Sequence, residues 1–106
     1  MTILFLPDAI ADLRGLQHHL LRHWSVSVWM TAESDVVGEL TLLDDGHLTG
    51  ANVPELASVG IIDYRQITTS HHRLIYRQIQ DTTFVYLVAA HRQDFQALLQ
   101  QRLWRR

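Results

Sequence analysis

The hydrophobic and polar positions between residues 61 and 92 follow the pattern of three consecutive strands joined by two tight turns. In the middle strand charged and apolar residues alternate, which places Arg73 on one face and Leu74 and Tyr76 on the other. The third strand, FVYLVAA over residues 84–90, is apolar on both faces, as expected of a strand covered on both sides. These three strands are therefore predicted to form the body of a sheet.

The amino-terminal part of the chain predicts an edge strand followed by a helix. Residues 2–6 form a short apolar run that ends at a proline, and this strand is expected beside one of the later strands. If it pairs with the last strand in parallel, the chain between them supplies the crossover. Asp8 is expected to cap a helix that continues to about His23, with Asp12 and Arg14 turned outward.

A second helix is predicted next, with Ser25 or Ser27 as its cap and the run 44–46 (Asp-Asp-Gly) as its end. Two helices joined by so short a link should form an antiparallel hairpin packed on the sheet. Residues 46–60 show no sustained period and are predicted to be a loop. A loop of this length in a compact domain is often functional.

The last predicted element is a helix capped by Asp94. Apolar residues at helical spacing form one face of this helix: Phe95, Leu98, Leu99 and Leu103. The complete order, β-α-α-β-β-β-α, predicts an α+β fold in which a helical hairpin packs on a small, mainly antiparallel sheet. We expect residues 1–106 to form a single domain.

Composition narrows the functional classes. The chain has no cysteine, which excludes disulfide scaffolds and thiol catalysis, and no apolar run long enough for a membrane span, so a soluble cytoplasmic protein is expected. Residues 1–61 carry two Arg against eight acidic residues, whereas residues 62–106 carry seven Arg against three Asp. The second half is therefore expected to meet an acidic partner. All nine cations are Arg, which favours bidentate recognition of carboxylate or phosphate but is equally explained by genomic base composition.

Several segments, taken in order, resemble the signature of the RelE/ParE superfamily of toxins from bacterial type II toxin–antitoxin modules, some of which are plasmid stabilisation systems. The matching segments are Asp8-Ala9, Asp12-Leu13, Pro54-Glu55-Leu56, Arg65, His72 to Arg77 and His91 to Asp94. The resemblance implies an antitoxin partner, which usually wraps an extended, acidic and partly helical segment around the toxin. Such a partner agrees with the positive second half and with an apolar groove between helices and sheet.

The superfamily divides by activity. RelE-like members are ribosome-dependent mRNA endoribonucleases, whereas ParE-like members poison DNA gyrase. The resemblance implies that Arg73 occupies a phosphate-contacting position, that Arg65 lies near another basic position, and that His91 and Arg92 fall where several members place a catalytic His or Arg. The chain departs from the nuclease pattern because it has no Lys, no Tyr in the last helix and an acidic net charge.

Metal-independent RNA cleavage requires a general acid or base together with guanidinium groups that stabilise the developing charge. Arg65 and Arg73 lie on adjacent predicted strands and His91 ends the next one, so these side chains are expected to converge on one face. The alternative is structural. In that case Arg73 and Arg77 pair with acidic residues on the sheet surface, while His91 hydrogen-bonds to the backbone.

A gyrase poison needs a binding surface rather than catalytic groups. Trp24 and Trp29 are expected to pack in the core, which leaves residues near the chain end as the predicted partner contacts. The predicted partner-binding residues are Trp104, Arg102, Arg105 and Arg77.

No metal or cofactor is expected. His19 and His23 lie one helical turn apart, but the sequence offers no third ligand at a suitable spacing. The acidic net charge favours a ParE-like toxin that acts on gyrase over a RelE-like nuclease that acts on mRNA in the ribosome. A non-toxic homologue that only binds a partner is the third alternative, and both a homo-oligomer and a heteromer with antitoxin stay open.

Overall fold

The computed structural model describes residues 2–46, 50–91 and 93–103. The elements, in chain order, are β1 (Thr2–Phe5), α1 (Pro7–His23), α2 (Val26–Asp44), β2 (Ala51–Asn52), α3 (Pro54–Ala57), β3 (Arg65–Thr68), β4 (His72–Ile79), β5 (Thr82–Ala90) and α4 (Phe95–Leu103). No helix in the described ranges is long and apolar enough to span a membrane.

The five strands form one sheet in the order β1-β5-β4-β3-β2. β1 lies at the edge and pairs with β5 in parallel, from Thr2 opposite Thr82 to Phe5 opposite Val85. The other neighbours are antiparallel. The α+β prediction is confirmed, and α1 and α2 supply the crossover that a parallel pair requires.

The two long helices begin for different local reasons. Pro7 lies at the start of α1, where its fixed φ angle suits a helix and its missing N–H is no loss. The predicted cap by Asp8 is wrong, because Leu6 holds the N-cap position and Asp8 lies in the first turn. Ser25 caps α2 as predicted, since its hydroxyl accepts the Val28 N–H at 3.2 Å. Both helices end where the sequence indicates.

The sheet is covered on both faces. The core on the α1–α2 side includes Leu16, Val36, Leu40, Ile67, Leu74, Tyr76, Val85 and Val88. The core on the α3–α4 side includes Val53, Leu56, Ile75, Leu87, Ala89, Phe95 and Leu99. Leu87 and Val88 belong to opposite cores, which explains why β5 is apolar over residues 84–90 and confirms the prediction of an interior strand.

The segment 46–60 is more ordered than its sequence indicates. It contains β2, which is two residues long, and α3, a single helical turn that Pro54 starts. Elements this short cannot display a hydrophobic period, so the prediction of a plain loop is wrong for residues 51–57. The consequence for the site is that α3 places Glu55 beside the sheet.

Candidate functional site

Arg73 lies on the α3–α4 face of the sheet and is held by several partners. Its two terminal nitrogens donate to the Glu55 carboxylate at 3.1 and 2.7 Å, and its Nε donates to Gln66 Oε1 at 2.6 Å. The guanidinium lies 3.6 Å from the centre of the Phe95 ring. The hydrogen bond from Arg73 lowers the pKa of Glu55, which keeps that carboxylate charged. Arg73 therefore ties α3, β3 and α4 to β4.

Arg65 points to the opposite face. In the register of β3 and β4 it lies directly across from Tyr76, a residue of the α1–α2 core, whereas Arg73 lies across from Thr68. Its Nη1 donates to the Gly50 carbonyl at 3.1 Å, and the Gly50 N–H donates to the Tyr76 hydroxyl at 2.9 Å. Arg65 thus fastens the chain that enters β2.

His91 directly follows β5 and contacts the backbone. Its Nε2 lies 2.7 Å from the Thr69 carbonyl oxygen, in the turn between β3 and β4. The predicted convergence of Arg65, Arg73 and His91 on one face is therefore wrong. Arg65 and Thr68 are three residues apart on one strand, so their side chains point to opposite faces of the sheet. Arg73 pairs with Thr68 and therefore points to the face opposite that of Arg65. The fourth predicted catalytic residue, Arg92, lies outside the described residues.

The contacts of Arg73, Arg77 and His91 are those of the structural alternative. Arg77 lies 3.9 Å from Asp63 with both side chains exposed, and its guanidinium is 5.8 Å from the centre of the Tyr64 ring. Of the two predicted partner-binding residues whose side chains the structure describes, Arg77 is the more accessible, at 37 % against 20 % for Arg102. Two others, Trp104 and Arg105, lie outside the described residues.

Arg102 is the remaining predicted partner-binding residue, and it is paired with Asp12. Its two terminal nitrogens donate to the two carboxylate oxygens of Asp12, and the pair is mostly buried. Asp12 also accepts the Val88 N–H at 3.0 Å. The prediction that Asp12 turns outward is therefore wrong, because its carboxylate accepts hydrogen bonds from β5 and from α4.

Trp24 is exposed rather than buried in the core. Its side chain is 66 % accessible, because the residue lies at the C-cap of α1, where the backbone leaves the helix with φ −127° and ψ −108°. Trp29 is half-buried in a groove between α1 and α2 with a volume of about 340 Å³. The core prediction thus fails for Trp24, and that side chain joins the accessible surface.

An exposed apolar surface runs along α2. Val26, Met30 and Val37 are 63 %, 58 % and 56 % accessible, and their spacing places them on one side of the helix. We call these three residues the outer stripe. The sequence carried a signal for it, because apolar residues recur on two sides of α2 while one side suffices to pack on the sheet.

A cavity of about 330 Å³ opens between the turn of the helical hairpin, the start of β4 and the end of β5. Its walls include Leu16, Leu20, Trp24, His71, His72 and His91, and we call it the hairpin-tip cavity. The His72 side chain is buried, and its Nδ1 has no hydrogen-bond partner within the described part of the molecule. Burial and the neighbouring His71 and His91 lower the pKa of His72 to about 4.

The two histidines of α1 have a simpler arrangement. The rings of His19 and His23 lie 4.6 Å apart between centres, in a tilted contact. The described residues include no group of three or more His, Asp or Glu side chains able to hold a metal ion. Among the described residues, His19 and His23 therefore have no third side chain placed to complete a metal site.

Comparison with known proteins identifies the class. The fold, with a helical hairpin on a mainly antiparallel sheet, is that of toxins from type II toxin–antitoxin modules. Residues 3–95 match the family described as "ParE toxin of type II toxin-antitoxin system, parDE". Because this match spans most of the chain, the protein belongs to the ParE toxin family, which confirms the resemblance to the RelE/ParE superfamily.

A solved structure supports the fold. A chain described as "Chromosomal ParDE TA system from P. aeruginosa" superposes with a TM-score of 0.65 at 17 % sequence identity. The similarity covers 85 % of this chain and 95 % of the other. A search of curated protein sequences returns no match.

Proposed function

We propose that this protein inhibits growth by acting on DNA gyrase and that a cognate antitoxin neutralises it. The observation that carries the proposal is the divergence of three side chains that a RelE-like nuclease would bring together. Arg73 faces α3 and α4, Arg65 faces the opposite side of the sheet, and His91 lines the hairpin-tip cavity. A surface poison needs no such convergence, since its effect depends on binding.

The ion pair of Arg73 weighs against catalysis. Charge stabilisation of a scissile phosphate requires guanidinium N–H groups aimed at the developing charge. Two nitrogens of Arg73 already donate to Glu55, and the Arg73 and Glu55 side chains are only 18 % and 28 % accessible. Freeing the guanidinium would leave a carboxylate without its partner in a poorly solvated place, which is strongly unfavourable.

The hydrogen bond of His91 also restricts what this ring can do. A carbonyl oxygen only accepts hydrogen bonds, so the Nε2 that contacts Thr69 carries the hydrogen. A general base at this position would have to use Nδ1 instead. The described hydrogen bonds of Arg65 and Arg73 go to Gly50, Gln66 and Glu55, and none of them joins a guanidinium group to His91.

The outer stripe of α2 is the surface that best fits a macromolecular contact. Large apolar side chains that are more than half exposed, placed along one side of a helix, suit an interface with an amphipathic segment. Trp24, in the turn just before α2, extends this surface with a residue type that often dominates binding energy. We assign contact with gyrase and with the antitoxin to this shared surface, so that the antitoxin neutralises the toxin by covering it.

Expression of the chain without antitoxin tests the proposal. The expected result is growth arrest with filamentation and DNA breaks that depend on gyrase. Purified toxin should also change the supercoiling or cleavage reaction of purified gyrase. Cuts in mRNA on translating ribosomes, with gyrase unaffected, would instead establish the RelE-like activity. If the cells grow normally and neither chromosomal DNA nor mRNA is cut, the protein is a non-toxic homologue that only binds its partner.

A further inference from the structure

We propose that β1 is the surface through which two copies of this chain join their sheets, each β1 pairing with the other in antiparallel orientation. The inference goes beyond the proposed action on gyrase and does not depend on it, because it concerns the toxin alone. Its support comes from the edges of the sheet, from the directions of the backbone groups of β1, and from the side chains that the pairing would bring together.

β1 forms one edge of the five-stranded sheet, and no described strand pairs with its outer side. Its four residues, Thr-Ile-Leu-Phe, include neither a charged residue nor a proline. Charges and prolines are two of the devices with which natural proteins keep an open edge from pairing with another chain. The edge at β1 is therefore chemically able to accept a further strand.

The other edges of the sheet are less able to do so. β2, at the opposite edge, is only two residues long. The part of β5 that extends beyond β1 is capped by polar side chains, since the Val88 N–H donates to Asp12 at 3.0 Å and the Ala90 N–H donates to Gln93 Oε1 at 2.7 Å. Among the described edges, β1 is thus the one best suited to pair with another strand.

The backbone of β1 presents hydrogen-bonding groups to the outside at two residues. Successive residues of a strand direct their N–H and C=O groups to opposite sides. The Leu6 N–H donates to the Val85 carbonyl oxygen at 3.0 Å, so the backbone groups of Leu4, two residues earlier, also face β5. The N–H and C=O groups of Ile3 and Phe5 consequently point to the open edge.

This alternation selects one register for two identical strands. In an antiparallel pair, two opposite residues whose backbone groups face each other exchange both hydrogen bonds. Placing Ile3 of each copy opposite Phe5 of the other satisfies all of these outward groups about a two-fold axis. Leu4 then lies opposite Leu4 of the second copy, as a pair without mutual hydrogen bonds and with a Cα separation of about 4.5 Å.

The side chain of Leu4 supplies the apolar contact. Ile3 and Phe5 pack against the α1–α2 core, whereas Leu4 lies on the other face of the sheet and is 48 % accessible. Its neighbour on β5 is Phe84. Pairing about the axis would therefore form a row in which two Leu4 side chains meet and a Phe84 ring flanks each of them.

The absence of charge in β1 favours a second copy as the occupant. An uncharged strand pairs with its own copy without like-charge repulsion, whereas an acidic segment of another protein would find no opposite charge in Thr2–Phe5. An interface made mainly of one short strand from each copy is small. A weak dimer that depends on the chain concentration is therefore expected.

Sedimentation of the purified chain over a range of concentrations, without antitoxin, tests the proposal. We expect a reversible equilibrium between monomer and dimer. Leu4→Lys places like charges opposite each other at the axis, so it should weaken dimerisation by about tenfold or more. Ile79→Lys, on β4 at a comparable exposure of 43 %, is the matched control and should leave dimerisation unchanged. Both side chains are exposed, so both variants should melt close to the parent chain.

Two further measurements test the register. The chain has no cysteine, so Leu4→Cys introduces a single thiol that should form a disulfide between two copies, because a Cα separation of about 4.5 Å lies within disulfide range. Ile79→Cys should cross-link much more slowly. In amide hydrogen exchange, protection of the Ile3 and Phe5 N–H groups should rise with chain concentration, whereas that of Leu4, which faces β5, should change little.

Several results would overturn the proposal. These are a chain that stays monomeric up to about 1 mM, a Leu4→Lys variant that dimerises as the parent does, and equal cross-linking of Leu4→Cys and Ile79→Cys. A monomeric parent chain whose Leu4→Lys variant binds the antitoxin less tightly would assign the open edge to the antitoxin instead.

Discussion

Arg102 in α4 and Asp12 in α1 form an ion pair with two hydrogen bonds, and the pair lies beside the edge of β5 that β1 does not cover. β1 pairs with β5 only as far as Val85, so the Val88 N–H would otherwise point out of an open sheet edge. Asp12 accepts that N–H at 3.0 Å and accepts Arg102 as well. A charged side chain placed at an exposed edge also protects a strand from pairing with other chains.

Removal of the carboxylate should destabilise the fold. Asp12→Ala leaves the mostly buried Arg102 without its partner and the Val88 N–H unsatisfied, so we expect a loss of roughly 2–4 kcal/mol in the free energy of unfolding. Arg14→Ala, an exposed change on the same helix, should alter it by less than about 0.5 kcal/mol. Urea denaturation of both variants makes the comparison. A loss below about 0.5 kcal/mol for Asp12→Ala would mean that the pair contributes little.

The stability should depend on His72 between pH 6.5 and pH 4. Burial lowers the pKa of His72 from 6.5 to about 4 in the folded chain. In this pH range the unfolded chain binds a proton that the folded chain does not, so stability falls as pH falls. The shift corresponds to about 3 kcal/mol over the whole range.

His72→Phe is the matched variant for this pH effect. It removes the titrating ring nitrogen atoms, so its free energy of unfolding should fall less steeply between pH 6.5 and pH 4 than that of the parent chain. Denaturation at several pH values gives both curves. Parallel curves would show that other groups cause the acid sensitivity.

Two glycines should respond to alanine in opposite directions. A Cβ on Gly50 would lie 2.5 Å from the Tyr76 hydroxyl and 2.6 Å from the Gln66 carbonyl oxygen, so Gly50→Ala should shift β2 and lower the melting temperature. A Cβ on Gly38, inside α2, meets nothing within 4 Å. Gly38→Ala should therefore stabilise the protein by about 0.5–1 kcal/mol.

Calorimetry of the Gly50→Ala and Gly38→Ala variants measures both effects. In a domain of this size about 1 kcal/mol corresponds to roughly 4–8 °C in melting temperature. A melting temperature for Gly50→Ala equal to that of the parent would contradict the close approach to Tyr76.

Toxicity should survive the loss of the His91 ring. His91 is exposed and contacts one backbone carbonyl, so His91→Ala should cost about 1 kcal/mol of stability and leave growth inhibition intact. The measurement is growth after induction, with protein levels checked by immunoblot and His18→Ala as an exposed control on α1. Loss of growth inhibition at an unchanged protein level would favour the nuclease alternative.

The outer stripe should matter for binding and not for folding. Met30→Glu and Val37→Glu alter side chains that are more than half exposed, so stability should change by less than about 0.5 kcal/mol. Each charge should weaken antitoxin binding by tenfold or more and reduce growth inhibition, because it would be buried in the interface. Ile62→Glu, at a comparable exposure of 62 % outside the helical hairpin, is the control.

Calorimetric titration with the antitoxin, together with growth assays, checks the outer-stripe variants. If both stripe variants and Ile62→Glu bind the antitoxin with the affinity of the parent chain, the shared-surface assignment is wrong.

Most of the fold could be predicted because its elements are long enough to show a period. Ser25 marks the start of α2, Asp94 accepts the Ala97 N–H at the start of α4, and the turn before His72 joins β3 to β4, all as the sequence indicates. The failures are short elements or contacts between distant residues. The turn of α3 has no period, and Asp12 meets partners 76 and 90 residues away, which no local pattern reveals.

The candidate site was less predictable for a related reason. The residue types were identified from the sequence, but their directions depend on the register of β3 against β4, and a shift of one residue would exchange the faces. With Arg65 opposite Tyr76, Arg65 and Arg73 point to different sides. The charge asymmetry is also reduced by folding, because Asp12 and Glu55 from the acidic half pair with Arg102 and Arg73 from the basic half.

The pairing of the first strand with the last one has a consequence for synthesis of the toxin. Thr2–Phe5 leaves the ribosome early but finds its hydrogen-bonding partner only after residues 82–85 have been translated. A nascent or prematurely terminated chain that lacks β5 cannot complete the sheet. The sheet can therefore be assembled only after the chain has been translated through residue 85 and beyond.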